Sequence, residues 1–150
     1  MNNTLYVVSC GSKKADHSDL AKNLYVGCLF VAASRYAVTM TAMQGRWSIL
    51  SAAHGLIYPE SWIEPYDLTM AQAIRGNRRE TIVARVRLSL EVRIEARGHT
   101  HIEIHGGAVY AGIVREAASG LPVEVSDPLQ GKQIGERLRW YAEQRKGVAR

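Results

Sequence analysis

Four short apolar runs, at residues 5–8, 47–52, 102–104 and 123–125, alternate along the chain with segments of helical period. Each run ends in a polar or glycine-bearing turn, as a buried strand does where it meets solvent. Apolar positions recur at three- and four-residue spacing over residues 24–43, where Leu29, Phe30, Ala33, Tyr36, Ala37 and Met40 form one face and Gly45 marks the stop. Residues 69–96 read as a long helix capped by Thr69, striped by Ile74, Ile82, Val83, Val86, Leu90 and Ile94 and weakened at Gly76-Asn77. Residues 109–119 and 131–145 read as two further helices. This order predicts an α/β fold, with a short, mainly parallel four-stranded sheet flanked by helices on both faces and joined by right-handed crossovers.

With 150 residues the chain makes one domain, residues 1–150, with a core of its own. A composition 47% hydrophobic and 22% charged excludes a disordered tail, a collagen-like repeat or a disulfide scaffold. Two cysteines, Cys10 and Cys28, and an opening that lacks the basic-then-apolar order of a signal peptide give the expectation of a cytosolic protein. The apolar stretch over residues 24–38 is broken by Ser34, Arg35 and Tyr36. It falls short of the roughly 20 apolar residues a membrane span requires, so no membrane partner is expected. The net charge of +5 favours an anionic partner, with nucleotides and nucleic acids first. Oligomeric state is not encoded in any feature of this kind.

In an open parallel sheet, ligands bind beyond the carboxyl ends of the strands, where loops and free helix N–H groups converge. Three loops qualify here. After the first strand, Cys10, Gly11, Ser12, Lys13 and Lys14 combine a permissive backbone, a hydroxyl and two cations suited to an anion, or else form a turn with two solvated lysines. Their spacing is not that of a Walker loop. Cys10 is a packing residue or, with a cation beside its thiolate, a nucleophile.

After the second strand come Ala53, His54, Gly55 and Leu56, and then an irregular segment from Tyr58 to Thr69 that contains Pro59 and Pro65. His54 is placed to act as a general acid or base, or to hydrogen-bond the turn. Asp67 either activates water or caps the following helix. Gly106 and Gly107, after the third strand, allow close approach of a ligand or simply a tight turn. Tyr25, Tyr66 and Tyr110 can stack on a base or sit at the edge of the core. The expectation is therefore one pocket in which Lys13, His54, Asp67 and Gly107 meet.

Two further features carry charge. His99, His101, Glu103 and His105 alternate onto one face of a strand, but six residues of straight strand span about 20 Å, so they are not expected to share a metal. No metal or other cofactor is expected. Arg75, Arg78, Arg79, Arg85, Arg87, Arg93 and Arg97 decorate the long helix against Glu80, Glu91 and Glu95, as a phosphate-contacting face or as a solvated one with internal ion pairs.

The motifs Val8-Ser9-Cys10-Gly11-Ser12-Lys13-Lys14, Ala21-Lys22-Asn23-Leu24-Tyr25, Trp47-Ser48-Ile49-Leu50-Ser51-Ala52-Ala53-His54-Gly55-Leu56 and Pro65-Tyr66-Asp67-Leu68-Thr69 together resemble an uncharacterised bacterial and phage domain family. Gly106-Gly107-Ala108-Val109-Tyr110, Pro128-Leu129-Gln130-Gly131, Ile134-Gly135 and Trp140 extend the likeness over nearly the whole chain. That family is similar to YaaA-like proteins and to the uracil-DNA-glycosylase-like superfamily. The resemblance implies a three-layer α/β/α sandwich with a pocket for a nucleobase, nucleotide or nucleic acid, and cleavage or exchange at an N-glycosidic bond. Where glycosylases of that superfamily commonly carry a carboxylate after the first strand, this chain has Cys10, Ser12 and lysines. A noncatalytic nucleotide- or DNA-binding module is the alternative.

Overall fold

The computed structural model describes residues 3–42 and 46–148. A five-stranded sheet forms the centre, built from β1 (Thr4–Ser9), β3 (Trp47–Ser51), β4 (Gly55–Ile57), β6 (His101–His105) and β7 (Glu124–Ser126) in the order β4-β3-β1-β6-β7. β1 pairs in parallel with β3 and β6, β6 pairs in parallel with β7, and β4 runs antiparallel along the edge of β3. Two two-residue strands, β2 (Asp19–Leu20) and β5 (Trp62–Ile63), make a separate antiparallel ribbon.

The interior positions of β1 and all of β3 are buried, as expected of strands covered on both faces. Two helices cover each face. α2 (Cys28–Met40) packs with α6 (Ile134–Val148), and α4 (Arg78–Arg97) packs with α5 (Ala108–Ala118). The chain passes from β1 through α2 outward to β3, and from the β3–β4 hairpin through α4 back across to β6 on the other side of β1. The three-layer α/β architecture read from the sequence is thus present.

Its sheet differs from the expected one by a strand. Ser51 pairs with Gly55, so the chain reverses through Ala52, Ala53 and His54 and adds β4 as an edge. Gly55 turns with φ +73°, a left-handed conformation that favours glycine, and the Arg85 side chain packs against its Cα where a Cβ would stand. The long helix expected over residues 69–96 is two helices. Thr69 caps α3 (Met70–Ala73) through a reciprocal box with Gln72, and Gly76, at φ +69°, separates it from α4. The first long helix begins at Cys28 rather than at residue 24, because a four-residue α1 (Ala21–Leu24) and extended Tyr25 precede it. Its expected stop at Gly45 lies outside the described residues. No helix among those described is long and apolar enough to cross a membrane.

Candidate functional site

The loop after β1 leads over one face toward β3, and the loop after β6 leads over the other face toward β7. Between the ends of these adjacent strands the chain diverges and leaves a crevice, the usual place for a ligand in an open α/β sheet. The crevice has a volume of about 670 Å³. That is the size range of pockets for nucleotide-sized molecules. Ser9, Cys10 and Gly11 form its edge from β1, and His105, Gly106 and Gly107 its edge from β6.

One wall is apolar and the other cationic. Leu29, Phe30 and Ala33 on α2 supply the first, and Lys132, Gln133 and Arg137 at the entry to α6 supply the second. Arg137 joins the parts: Nε donates to the Lys132 carbonyl at 2.8 Å and Nη1 to the Gly106 carbonyl at 2.9 Å. Gly107 is the N-cap of α5 and offers no side-chain cap, so the first N–H groups of that helix are available to an anion.

His105 is buried at the crevice edge, yet both ring nitrogens are engaged. Nδ1 lies 2.7 Å from the Tyr141 hydroxyl and Nε2 lies 2.7 Å from Glu103 Oε2. The period-two spacing read from the sequence does place Glu103 and His105 together. It does not gather the other histidines, because His101 faces Glu124 at 3.1 Å and His99 precedes the strand.

A second cluster adjoins the crevice through Cys10. The Cys10 sulfur is 3.5 Å from the Tyr110 hydroxyl and 3.6 Å from that of Tyr66. Tyr66 also meets the Tyr25 hydroxyl at 2.6 Å and Ser51 Oγ at 2.7 Å. Burial pushes Tyr25 up to about 12 and raises Tyr66 and Tyr110 further. These phenols are neutral at physiological pH and act as hydrogen-bonding groups.

Above this network, Lys14 Nζ lies 4.3 Å from the centre of the Tyr66 ring, a cation–π contact. Lys13 is exposed, with its carbonyl accepting the Val26 N–H at 3.0 Å. His54 stands at the hairpin tip with its ring edge-on to Tyr66, the ring centres 5.5 Å apart. Burial first, and then the Arg85 charge, push His54 below the usual histidine range, which keeps it neutral at pH 7.

Cys10, Gly11, Gly106 and Gly107 therefore line the crevice, while Lys13, Lys14, His54 and Asp67 fall outside its lining. Asp67 is exposed beside Tyr66, and the cap expected of Asp67 or Thr69 is made by Thr69. Tyr25, Tyr66 and Gly55 belong to the adjoining cluster and its hairpin, and exposed Ser12 contributes its carbonyl to Lys14 Nζ at 3.3 Å.

A family of unknown function, DUF6884, matches residues 5–143. The chain belongs to DUF6884. That match takes in every residue lining the crevice, from Ser9 to Tyr141. No curated protein matches the chain.

The crevice residues that sequence reasoning overlooked in this DUF6884 member are Lys132, Gln133, Arg137 and Tyr141. Arg137 and Tyr141 sit on α6 and Lys132 and Gln133 just before it, far in sequence from the strand-end loops, and only the fold brings them to β1. A weak signal existed in the run from Gly131 to Gly135, which brackets Lys132 at a helix entry. Ser51 was read as a strand residue, although its Oγ accepts the backbone N–H groups of Ala53 and His54 and so builds the hairpin tip. The arginine helix is largely committed to intramolecular bonds: Arg79 pairs with Glu116 at 2.9 Å, Arg87 with Glu91 at 3.0 Å, and Arg85 reaches the Ala53 carbonyl at 3.4 Å.

Proposed function

We propose that this protein binds a nucleotide, or a nucleotide unit of modified DNA, in the β1/β6 crevice and cleaves or exchanges its base–sugar bond. The observation that carries the reading is the division of the crevice into an apolar wall and a cationic one beside an uncapped helix N-terminus. A flat base matches Leu29, Phe30 and Ala33. A phosphate matches Lys132, Arg137 and the first N–H groups of α5. The finer kinship, with YaaA-like proteins and the uracil-DNA-glycosylase-like superfamily, belongs to this proposal.

Hydrolysis would form a bond from water oxygen to the anomeric carbon and break the carbon–nitrogen bond, the base leaving with the bonding electron pair and taking up the proton the water loses. Stabilising that departing charge is the main task of such a site. His54 and Asp67 enter the reading as outer groups, His54 through its contact with Tyr66 and Asp67 through the loop that carries Tyr66.

A second reading, a noncatalytic nucleotide- or DNA-binding module, is favoured by one observation: both nitrogens of His105 are already hydrogen-bonded, so the crevice imidazole is not free for proton transfer. Incubation of the protein with a panel of nucleotides and modified DNAs, read by mass spectrometry for free base, separates the two. Released base supports the enzyme. A raised melting temperature without release supports the binding module, and neither effect overturns both.

A further inference from the structure

At the opposite end of the sheet, the amino ends of β1 and β3 and the last turns of α4 enclose a second cavity, of about 690 Å³. Three guanidinium groups line it, from Arg46, Arg93 and Arg97, against one carboxylate, that of Glu60. Glu60 is already within 3.6 Å of Lys22.

Arg93 is the unusual member. Only 6% exposed, it donates to Ser48 Oγ at 2.8 Å, to the Ser89 carbonyl at 3.1 Å and to the Leu56 carbonyl at 3.4 Å, and it lies 4.1 Å from the centre of the Tyr58 ring. Every one of these partners is uncharged, and among the described residues no carboxylate pairs with it. A buried charge ordinarily has a counter-ion. Cations near a helix C-terminus complement the helix dipole, which accounts for exposed Arg97 but not for a charge buried a turn earlier.

His99 adds an independent sign. It is 3% exposed and lines the same cavity, and among the described residues its Nδ1 has no hydrogen-bond partner. Arg46 Nε is likewise buried without one. Buried polar atoms are nearly always satisfied, so unpartnered nitrogens beside surplus positive charge mark the place of an absent acceptor.

We infer that this cavity binds a phosphate group, free or as the terminal phosphomonoester of a nucleotide, with Arg46, Arg93, Arg97 and His99 Nδ1 as its donors. Guanidinium groups match the paired oxygens of a phosphate, and a doubly charged phosphate balances the cluster better than a singly charged carboxylate. Burial first, and then the charges of Arg46, Arg97 and Arg93, hold His99 below its ordinary value, with the Asn3 backbone partly opposing them. A phosphate in the cavity would offset these positive charges and raise it. Tyr58 and Glu60 are the other titratable groups facing this space. The site is separate from the crevice and does not depend on the function proposed there.

The test is an NMR titration of the whole protein with inorganic phosphate, with a nucleoside monophosphate and with the unphosphorylated nucleoside, following the His99 ring. Expected are saturable shifts with both phosphates and not with the nucleoside, and a rise in the His99 pKa at saturation. Tighter binding of one phosphate identifies whether the free ion or the nucleotide is the preferred source. Arg93→Met should weaken binding at least about tenfold, and exposed Arg97→Gln about threefold, the latter serving where the buried substitution prevents folding. Lys132→Gln, in the crevice, should leave the His99 response unchanged. No response of His99 to either phosphate, an equal response to the nucleoside, or full binding in Arg97→Gln and in folded Arg93→Met would overturn the inference.

Discussion

Ser9 Oγ stands 2.5 Å from the position that a Cβ on Gly106 would occupy, so β1 and β6 meet at the crevice with no room for one more carbon. The neighbouring Gly107 has open space at the same point. Adjacent glycines in one loop therefore have different reasons to be glycine. Gly106→Ala must displace Ser9 or the loop and should cost about 1–3 kcal/mol, the usual range for overpacking. Gly107→Ala, which meets no clash and only exchanges Gly for a poorer N-cap residue, should cost less, under about 1 kcal/mol. Urea midpoints of the two variants check the contrast, and equal effects would show that the close approach does not constrain the crevice.

Tyr66 links two hydroxyls and the Cys10 sulfur, so Tyr66→Phe leaves Tyr25 and Ser51 without a shared partner in a half-buried setting. A loss of about 1–3 kcal/mol in unfolding free energy is expected, the range for an orphaned buried polar group. Tyr25→Phe, which removes a single link of the same network, should cost less. Denaturant titration of both variants ranks them.

Stability should fall as the solution is acidified from pH 7 toward pH 5. His54 and His99 are both held below the ordinary histidine value, chiefly by burial, so in this interval the unfolded chain binds more protons than the folded one. Their contribution is complete above about pH 6.5, the unfolded value, and is lost as the pH drops below it. His99→Gln should flatten the dependence relative to wild type. Urea midpoints measured between these pH values test it, and an unchanged slope would remove His99 as a source.

Much of the fold was legible because the hydrophobic runs of β1 and β3 are buried on both faces, Ile102 and Ile104 of β6 are buried, and all three strands end in permissive loops. Thr69 and Gln72, three apart, are likewise readable as a capping box from local chemistry alone. β4 was not legible: three residues after a tight reversal carry too little pattern to separate a strand from a turn. Local spacing placed Cys10, Gly11, Gly106 and Gly107 at the correct edge, since a strand-end loop is fixed by its own strand. It said nothing of Lys132 and Arg137, whose approach depends on how α6 packs against α2. Arg93 was absorbed into an apparently solvated arginine face, although it follows Val86 and Leu90 at intervals of four and three and so shares their buried stripe.

The central claim, that the β1/β6 crevice receives an anionic nucleotide through the α6 entry, is tested most directly by calorimetric titration of a nucleoside monophosphate into folded variants. A reference with both loops unchanged is compared with Lys132→Gln/Arg137→Gln and with Lys13→Ala/Lys14→Ala, all three carrying Arg97→Gln to weaken the far cavity. Losing two charge-assisted contacts at about 1.4 kcal/mol each should weaken binding about a hundredfold in the Lys132/Arg137 variant. The Lys13/Lys14 variant should bind within about threefold of the reference, since neither side chain lines the crevice. Undiminished affinity in the Lys132/Arg137 variant, or a loss confined to the Lys13/Lys14 variant, would contradict the account.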